Sequence, residues 1–504
     1  MLFRFPLQAC RKGLILPWIL ACISGSATTL AFAPTQITSL AILAPALLII
    51  LWHKASPKQA FWLGFSYGLS FFSISVWWVT ISLHQYGNIS LSLAWLLAIL
   101  FFSYLAIFPG LTGWITVRFT QAHGLFFWGM IPSLWVLTEW LRSTLFTGFP
   151  WMLLGYSQTD SWLSGLAPII GTYGLSWVCM TLAGMLAYAF IHAKLKIWLT
   201  ISTSIAALYG ISYYLTTIPW TYPKSAPISV SLIQGNILQS YKWQDQQLSA
   251  ILQIYLTLIE QELGRAIILI PEAALPTPSH WISRYIKHLD VLAKDAHSVV
   301  IVGIPVQPLP HIEAYYNALN VLGASQGHYY KRHLVPFGEY LTFLRGIDWL
   351  LRYFQIPMAN FIPGPAKALP FQFNTLILKP LICYEIAYSK LVYDNLPSAE
   401  ALAVVSDDSW FGDSVAVDQH LQIARMRALE TRRYVLFDSN TGPTAIINPF
   451  GIIIAKVPLN QRAVLRSNIT AMQGQTPVIY WKDNPILWLT TAIFAILIYC
   501  RRRY

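Results

Sequence analysis

The sequence predicts a multi-span α-helical membrane bundle joined to an exported α/β layered domain, and three observations predict it. The 504 residues are 56% hydrophobic and only 11% charged, with 21 tryptophans and a mean hydropathy of +0.52, a balance foreign to an ordinary soluble enzyme. Apolar runs able to cross a bilayer core of ~30 Å, which takes ~20 helical residues, recur up to residue 217 and again near the C-terminus. Between them, residues 219–483 change to short apolar strands alternating with helical stretches, the pattern of a layered α/β domain.

The runs fall near 13–33, 36–53, 61–83, 90–117, 124–141, 161–192 and 197–217, with an eighth near 485–500. The expected organisation is therefore seven membrane helices over 1–218, the α/β domain over 219–483, and an eighth helix with a basic tail over 484–504. Arg4, Arg11 and Lys12 precede the first run and Ala31-Phe32-Ala33 mimics a cleavage site, so a removed signal peptide is the alternative reading of that run. With the N-terminus inside, the cytoplasmic flanks hold Arg4, Arg11, Lys12, Lys54, Lys58, Arg118, Lys194, Lys196 and Arg501-Arg502-Arg503. Those eleven basic residues stand against Arg142 alone in the short outer loops. The asymmetry predicts both termini in the cytoplasm, and an odd number of spans before residue 218 puts 219–483 on the other side. Since eleven of the 33 lysines and arginines lie in those flanks, the net charge of +12 reads largely as a topology signal and calls for no nucleic acid. Within the bundle, Glu139 is expensive in hydrocarbon unless paired or near water, with Arg142 as the partner in reach. The loop Phe146-Thr147-Gly148-Phe149-Pro150-Trp151 reads by itself as a set of interfacial aromatic anchors.

The exported segment is expected to run strand Ile228–Gln234, helix 247–263, strand 266–270, helix 281–296, strands 299–302, 376–382 and 401–405, helix 416–431, and strands 434–438 and 443–447. Cys383 is its one cysteine, because Cys10, Cys22, Cys179 and Cys500 belong to the membrane part or its edges. A solitary thiol in a disulfide-permissive compartment cannot be half of an internal disulfide. It stands where the strand ending Leu381-Ile382 gives way to a turn, Glu272 follows the strand-like run Ile267-Ile268-Leu269-Ile270-Pro271, and Lys331 lies beside apolar residues in Tyr330-Lys331-Arg332-His333-Leu334-Val335. A thiolate nucleophile needs a base for its proton and a cation or donors for the oxyanion of a tetrahedral intermediate. Glu, Lys and Cys can fill those roles. Singly, each has a plainer reading: a small core cysteine, a surface carboxylate, a solvated charge. No CxxC or His/Cys ligand spacing is present, so neither a metal nor a cofactor is implied.

Four segments together carry a resemblance. They are Pro271-Glu272-Ala273-Ala274-Leu275-Pro276, then Lys331-Arg332-His333-Leu334-Val335-Pro336-Phe337-Gly338-Glu339-Tyr340, then Cys383-Tyr384-Glu385, and finally Trp410-Phe411-Gly412-Asp413-Ser414 followed by Gln419-His420-Leu421-Gln422. In content and order these resemble the apolipoprotein N-acyltransferases, integral-membrane members of the nitrilase (carbon–nitrogen hydrolase) superfamily, and the similarity runs from the first span to the last. The resemblance implies a retained first helix and a nitrilase-type αββα sandwich with Glu272, Lys331 and Cys383 at strand ends on one rim, supported by Trp243, Glu339, Tyr384, Glu385 and Trp410. It implies a bacterial inner membrane protein, acting as a monomer, with its catalytic domain on the periplasmic side. The implied reaction takes an acyl chain from a phospholipid of the lipid bilayer, holds it as a Cys383 thioester, and passes it in a ping-pong sequence to the N-terminal amine of diacylglyceryl-cysteine in an apolipoprotein.

The segment 344–354 mixes bulky apolar residues with few charges. On a domain tethered to a bilayer at both ends it reads as an interfacial lid in which Trp349, Leu350 and Phe354 contact lipid, or else as ordinary core. Two other functions stay open on the residues alone: a membrane-tethered amidase or nitrilase with water as acceptor, and an inactive binding or assembly protein. The chain departs from the family pattern at Asp407, where Asn is usual, at Phe437, where Arg is usual, and at Thr342, which replaces a proline. None of these touches Glu272, Lys331 or Cys383.

Overall fold

The computed structural model describes residues 15–87, 89–119, 126–309, 312, 314–336, 338–340 and 360–503. They fall into two compact units: a helical one, and an α/β one formed by Pro219–Tyr480 together with Thr80–Leu91.

In the helical unit every apolar run holds a helix: α1 (Leu16–Thr29), α2 (Leu40–Trp52), α3 (Pro57–Ser75), α4 (Leu91–Phe119), α5 (Ile131–Arg142), α6 (Ala167–His192), α7 (Leu195–Thr216) and the C-terminal helix Asn484–Arg503. Among the described residues α4, α7 and the stretch Trp162–His192 that takes in α6 are each long and apolar enough to cross a membrane. A fourth span results if Pro57–Ser75 and Val79–Tyr86 count as one, although the pair is bent by 62°. The run expected at 61–83 is thus broken after Ser75. The physical reason is that the residues beyond the bend belong to the α/β unit, within which the hydroxyls of Ser82 and Tyr86 each donate at 2.7 Å, to the carbonyls of Trp410 and Ser409.

Without a hydrophobic drive between helices in lipid, close packing needs small residues. Gly64 and Gly68, one turn apart on α3, meet α4 so closely that a Cβ at Gly64 would lie 2.4 Å from the Pro109 carbonyl oxygen and one at Gly68 2.8 Å from Ala106 Cα. Glu139 on α5 is buried, and its Oε1 accepts from Trp135 Nε1 at 3.0 Å and from the Leu154 N–H at 2.9 Å. Arg142 donates at 2.7 Å to the carbonyls of both Phe149 and Trp151. The aromatic loop is therefore split: Phe146 is exposed, whereas Trp151 is core, packed edge-on to Trp78.

The α/β unit is built from β1 (Ile228–Gln234), α8 (Leu248–Glu260), β2 (Ile267–Leu269), α9 (Ser283–Asp295), β3 (Val299–Val306), β4 (Tyr316–Gly323), β5 (Gly327–Tyr330), β6 (Phe371–Gln372), β7 (Ile377–Ile382), β8 (Ala401–Ser406), α10 (Ala416–Thr431), β9 (Tyr434–Ser439), β10 (Ala445–Ile447), β11 (Ile453–Lys456) and β12 (Ala463–Ile469). Two six-stranded sheets result, in the orders β12-β1-β2-β3-β4-β5 and β11-β10-β9-β8-β7-β6. β1, β2 and β3 are mutually parallel, as are β7, β8 and β9, and the flanking strands are antiparallel. Parallel strands are covered on both faces and so read as continuous apolar runs. Alternation then divides each run: Ile233, Ile268, Val300, Val302 and Ile304 pack on Ile251, Tyr255 and Ile259 of α8 and on Leu289 and Ala293 of α9. Val230, Leu232, Ile267, Leu269 and Ile301, pointing the other way, are equally buried. At about 1.5–3 kcal/mol for each large aliphatic side chain removed from water, these layers supply the main drive for the unit. Because the strands within each parallel set share a direction, the turns leaving their C-terminal ends collect on one rim.

Candidate active site

Glu272 sits just past β2 on that rim. Its loop approaches β3 so closely that a Cβ at Gly303 would lie 2.1 Å from the Pro271 carbonyl oxygen and 2.9 Å from Glu272 Cα, a space that only glycine leaves open. Lys331 leaves β5 with 1% of its surface exposed. Its ammonium donates at 3.0 Å to Glu272 Oε1 and at 3.0 Å to Glu339 Oε1. The Asn317 amide of β4 donates to the same two oxygens, at 2.7 and 2.9 Å. Glu339 Oε2 accepts from the Val335 N–H at 2.8 Å, which fixes the second carboxylate to the lysine loop. Burial would depress the lysine, but the charges of Glu272 and Glu339, with Cys383 close by, outweigh it and hold the ammonium well above its ordinary range.

Cys383 opens a one-turn 3-10 helix, Cys383–Ala387, and takes a left-handed backbone with φ of 52°. For a residue with a side chain that conformation costs on the order of 1–3 kcal/mol. Glu385 clasps the turn. Its buried carboxylate accepts from the N–H of Ile382 at 2.8 Å, the N–H of Arg332 at 2.7 Å and the Tyr329 hydroxyl at 2.8 Å, so the cysteine turn is tied to the strand that delivers Lys331. Burial pushes the Cys383 thiol well above its ordinary range, Glu272 adds to that, and Lys331 opposes it. Both burial and Glu272 thus favour the protonated sulfur over the thiolate.

The supporting residues named from the sequence are dispersed around this rim. Tyr384, adjacent to Cys383, packs edge-on to Tyr388 with centroids 5.1 Å apart. Trp410 packs against Tyr86 at 5.0 Å. Trp243 Nε1 donates to the Gln239 amide oxygen at 3.1 Å when that amide is oriented to satisfy both its neighbours. The lid residues Trp349, Leu350 and Phe354 lie outside the described residues.

Other residues of the site were not singled out by sequence reasoning. Asn317, which joins the two carboxylates, carries no signal in a strand beyond being polar in an apolar run. Lys242, next to Trp243, is buried, pairs with Asp407, and donates to the Glu272 carbonyl at 3.1 Å. Asp407, expected to leave Glu272 untouched, does meet it: loop closure brings its N–H to Glu272 Oε2, to which it donates at 3.1 Å. Glu272 is thereby held by an ammonium and an amide on one oxygen and by a backbone donor on the other.

The arrangement combines a buried thiol, a carboxylate fixed to a permanent cation, and a second carboxylate that keeps the cation in place. This can support acyl transfer through a covalent sulfur intermediate. Comparison with known proteins places the chain. The family model described as apolipoprotein N-acyltransferase N-terminal domain matches residues 24–185, and that described as carbon-nitrogen hydrolase matches residues 229–477. A protein of Coxiella burnetii named apolipoprotein N-acyltransferase is 39% identical over 474 residues, covering 93% of this chain and 97% of its own. Proteins of the same name from Methylococcus capsulatus and Nitrosomonas europaea are each 38% identical, over 96% and 94% of this chain and 96% and 95% of their own. With similarity of that degree sustained along nearly the whole length of both partners, this chain belongs to the apolipoprotein N-acyltransferases.

Proposed function

We propose that the chain N-acylates apolipoproteins, with Glu272, Lys331 and Cys383 as its chemical centre. The observation that carries the reading is the 3.0 Å contact of Lys331 with Glu272 on the rim where Cys383 is held in a strained turn. Glu272 takes the thiol proton, and the sulfur attacks the ester carbonyl of a phospholipid acyl chain. Lys331 stabilises the oxyanion. Collapse of the tetrahedral intermediate breaks the ester C–O bond, and the lysophospholipid leaves with the proton returned by Glu272. The N-terminal amine of a diacylglyceryl-cysteine then attacks the Cys383 thioester, Glu272 accepts its proton, and the thiol is restored as the amide product departs. The thioester must outlast the exchange of one lipid for another, which favours a site closed to water.

In the same reading the protein is a monomer of the bacterial inner membrane with eight spans, seven of them within 1–218 and the last within 484–504. Residues 219–483 are periplasmic and both termini cytoplasmic. The basic asymmetry of the flanks supports this topology.

Intact-mass measurement tests the chemistry. Given phospholipid alone, the protein should gain one acyl chain on Cys383, lose it to a diacylglyceryl-cysteine peptide with a free amine, and keep it when that amine is blocked. Cys383→Ala should gain none, and Lys331→Ala and Glu272→Ala should load on the order of 10²-fold more slowly or worse. Rapid release of fatty acid without acceptor would instead make the protein a hydrolase.

A further inference from the structure

His420, on α10, is fully buried behind the nucleophile. Its Nδ1 is 2.9 Å from Asp408 Oδ1 and its Nε2 3.3 Å from the carbonyl oxygen of Cys383. Both ring nitrogens thus face oxygen atoms, one of the Asp408 carboxylate and one of the Cys383 carbonyl. Asp408 is anchored in its turn: the Ser406 hydroxyl donates to Oδ1 at 2.8 Å, and its own N–H donates to Ser439 Oγ at 3.3 Å. Phe437 packs edge-on to the imidazole with centroids 5.0 Å apart, closing that side with an apolar ring. The carbonyl that His420 grips belongs to the residue with the left-handed backbone, so this bond fixes the peptide whose orientation sets where the sulfur points.

We propose that His420 and Asp408 form a buried positioning pair that holds the Cys383 peptide in its strained conformation and so aims the nucleophile at the acyl carbonyl. The inference rests on the reading of Cys383 as the acylated residue. It assigns to α10 a part in the first half-reaction, exercised through the carbonyl of Cys383.

A positioning role predicts a loss in maximal rate without a loss in donor binding. His420→Leu should lower the maximal rate of Cys383 loading from a labelled-acyl diacyl phospholipid about 10- to 100-fold, the range expected for a reacting atom displaced by about 1 Å. The phospholipid concentration giving half that rate should stay as in the parent, and a single cooperative unfolding transition, at a midpoint lowered because Asp408 loses its partner, shows an intact fold. The double variant His420→Gln with Asp408→Asn keeps a donor for the Cys383 carbonyl in a neutral, similarly sized pair, and should recover at least half of the lost rate. It also carries the test if the leucine variant does not fold. Parental loading in H420L, a change confined to the half-saturating concentration, or no recovery in the double variant would each overturn the proposal. Persistent label on Cys383→Ala would instead remove the nucleophile assignment on which the proposal rests.

Discussion

Lys242 and Asp407 are buried to 2% and 3% side-chain exposure and lie 165 residues apart in sequence. Their pairing brackets Glu272 from its carbonyl and from its carboxylate. The Asp407 departure from the expected Asn has an evident partner here, because its Oδ2 takes the ammonium while Oδ1 accepts from the Ser409 hydroxyl at 2.6 Å and the Asn440 amide at 3.1 Å. Removing one member of a buried ion pair strands the other, at about 3–5 kcal/mol, whereas replacing both is often near neutral. Lys242→Met should therefore lower the unfolding free energy of the detergent-solubilised protein by an amount in that range, read from denaturant titration, and Lys242→Met with Asp407→Asn should restore most of it. Both variants should load Cys383 more slowly, since neither supplies the bond to the Glu272 carbonyl. Equal destabilisation in the single and double variants would show that charge pairing is not what Lys242 contributes.

At the scale of elements, the placement of Glu272, the proposed base, depends on how closely its loop lies on β3. Gly303→Ala puts a methyl group 2.1 Å from the Pro271 carbonyl oxygen, and the loop must lift to admit it. Overpacking of this kind costs about 1–3 kcal/mol. The expected result is a protein that still folds, with a Cys383 loading rate lower by on the order of 10²-fold because Glu272 is displaced. A rate within a factor of two of the parent would mean that the loop absorbs the methyl without moving the carboxylate. Element by element, the apolar parallel strands and α10 were legible in the sequence, α10 over Ala416–Thr431 as expected. β4, β5, β6, β11 and β12 were not anticipated. β4 carries Asn317 and Asn320, residues that favour turns, and β12 carries Arg466 and Asn468, and each is a strand because of its antiparallel partner.

For the whole molecule, burial and hydropathy make this a membrane protein with an α/β unit whose fold is of the carbon–nitrogen hydrolase type. Reporter fusions after Lys58 and after Lys196 should report the cytoplasm, and fusions within 225–480 the exterior. A cytoplasmic signal from the α/β unit would reverse the proposed orientation. The sequence by itself determined the membrane character and the change of pattern near residue 219, and through its motifs it singled out Glu272, Lys331 and Cys383 as the proposed chemical centre. These are legible because transfer of an apolar run from water, or the presence of a reactive side chain at a strand end, is a local property. The tertiary structure decided the break after Ser75 and the grouping of Thr80–Leu91 with the α/β unit. It also decided that Asn317 joins Glu272 to Glu339, that Lys242 meets Asp407, and that His420 reaches the Cys383 carbonyl. Each of those depends on sheet register and loop closure across tens to hundreds of residues, and no local pattern records which distant partner a buried polar group will find.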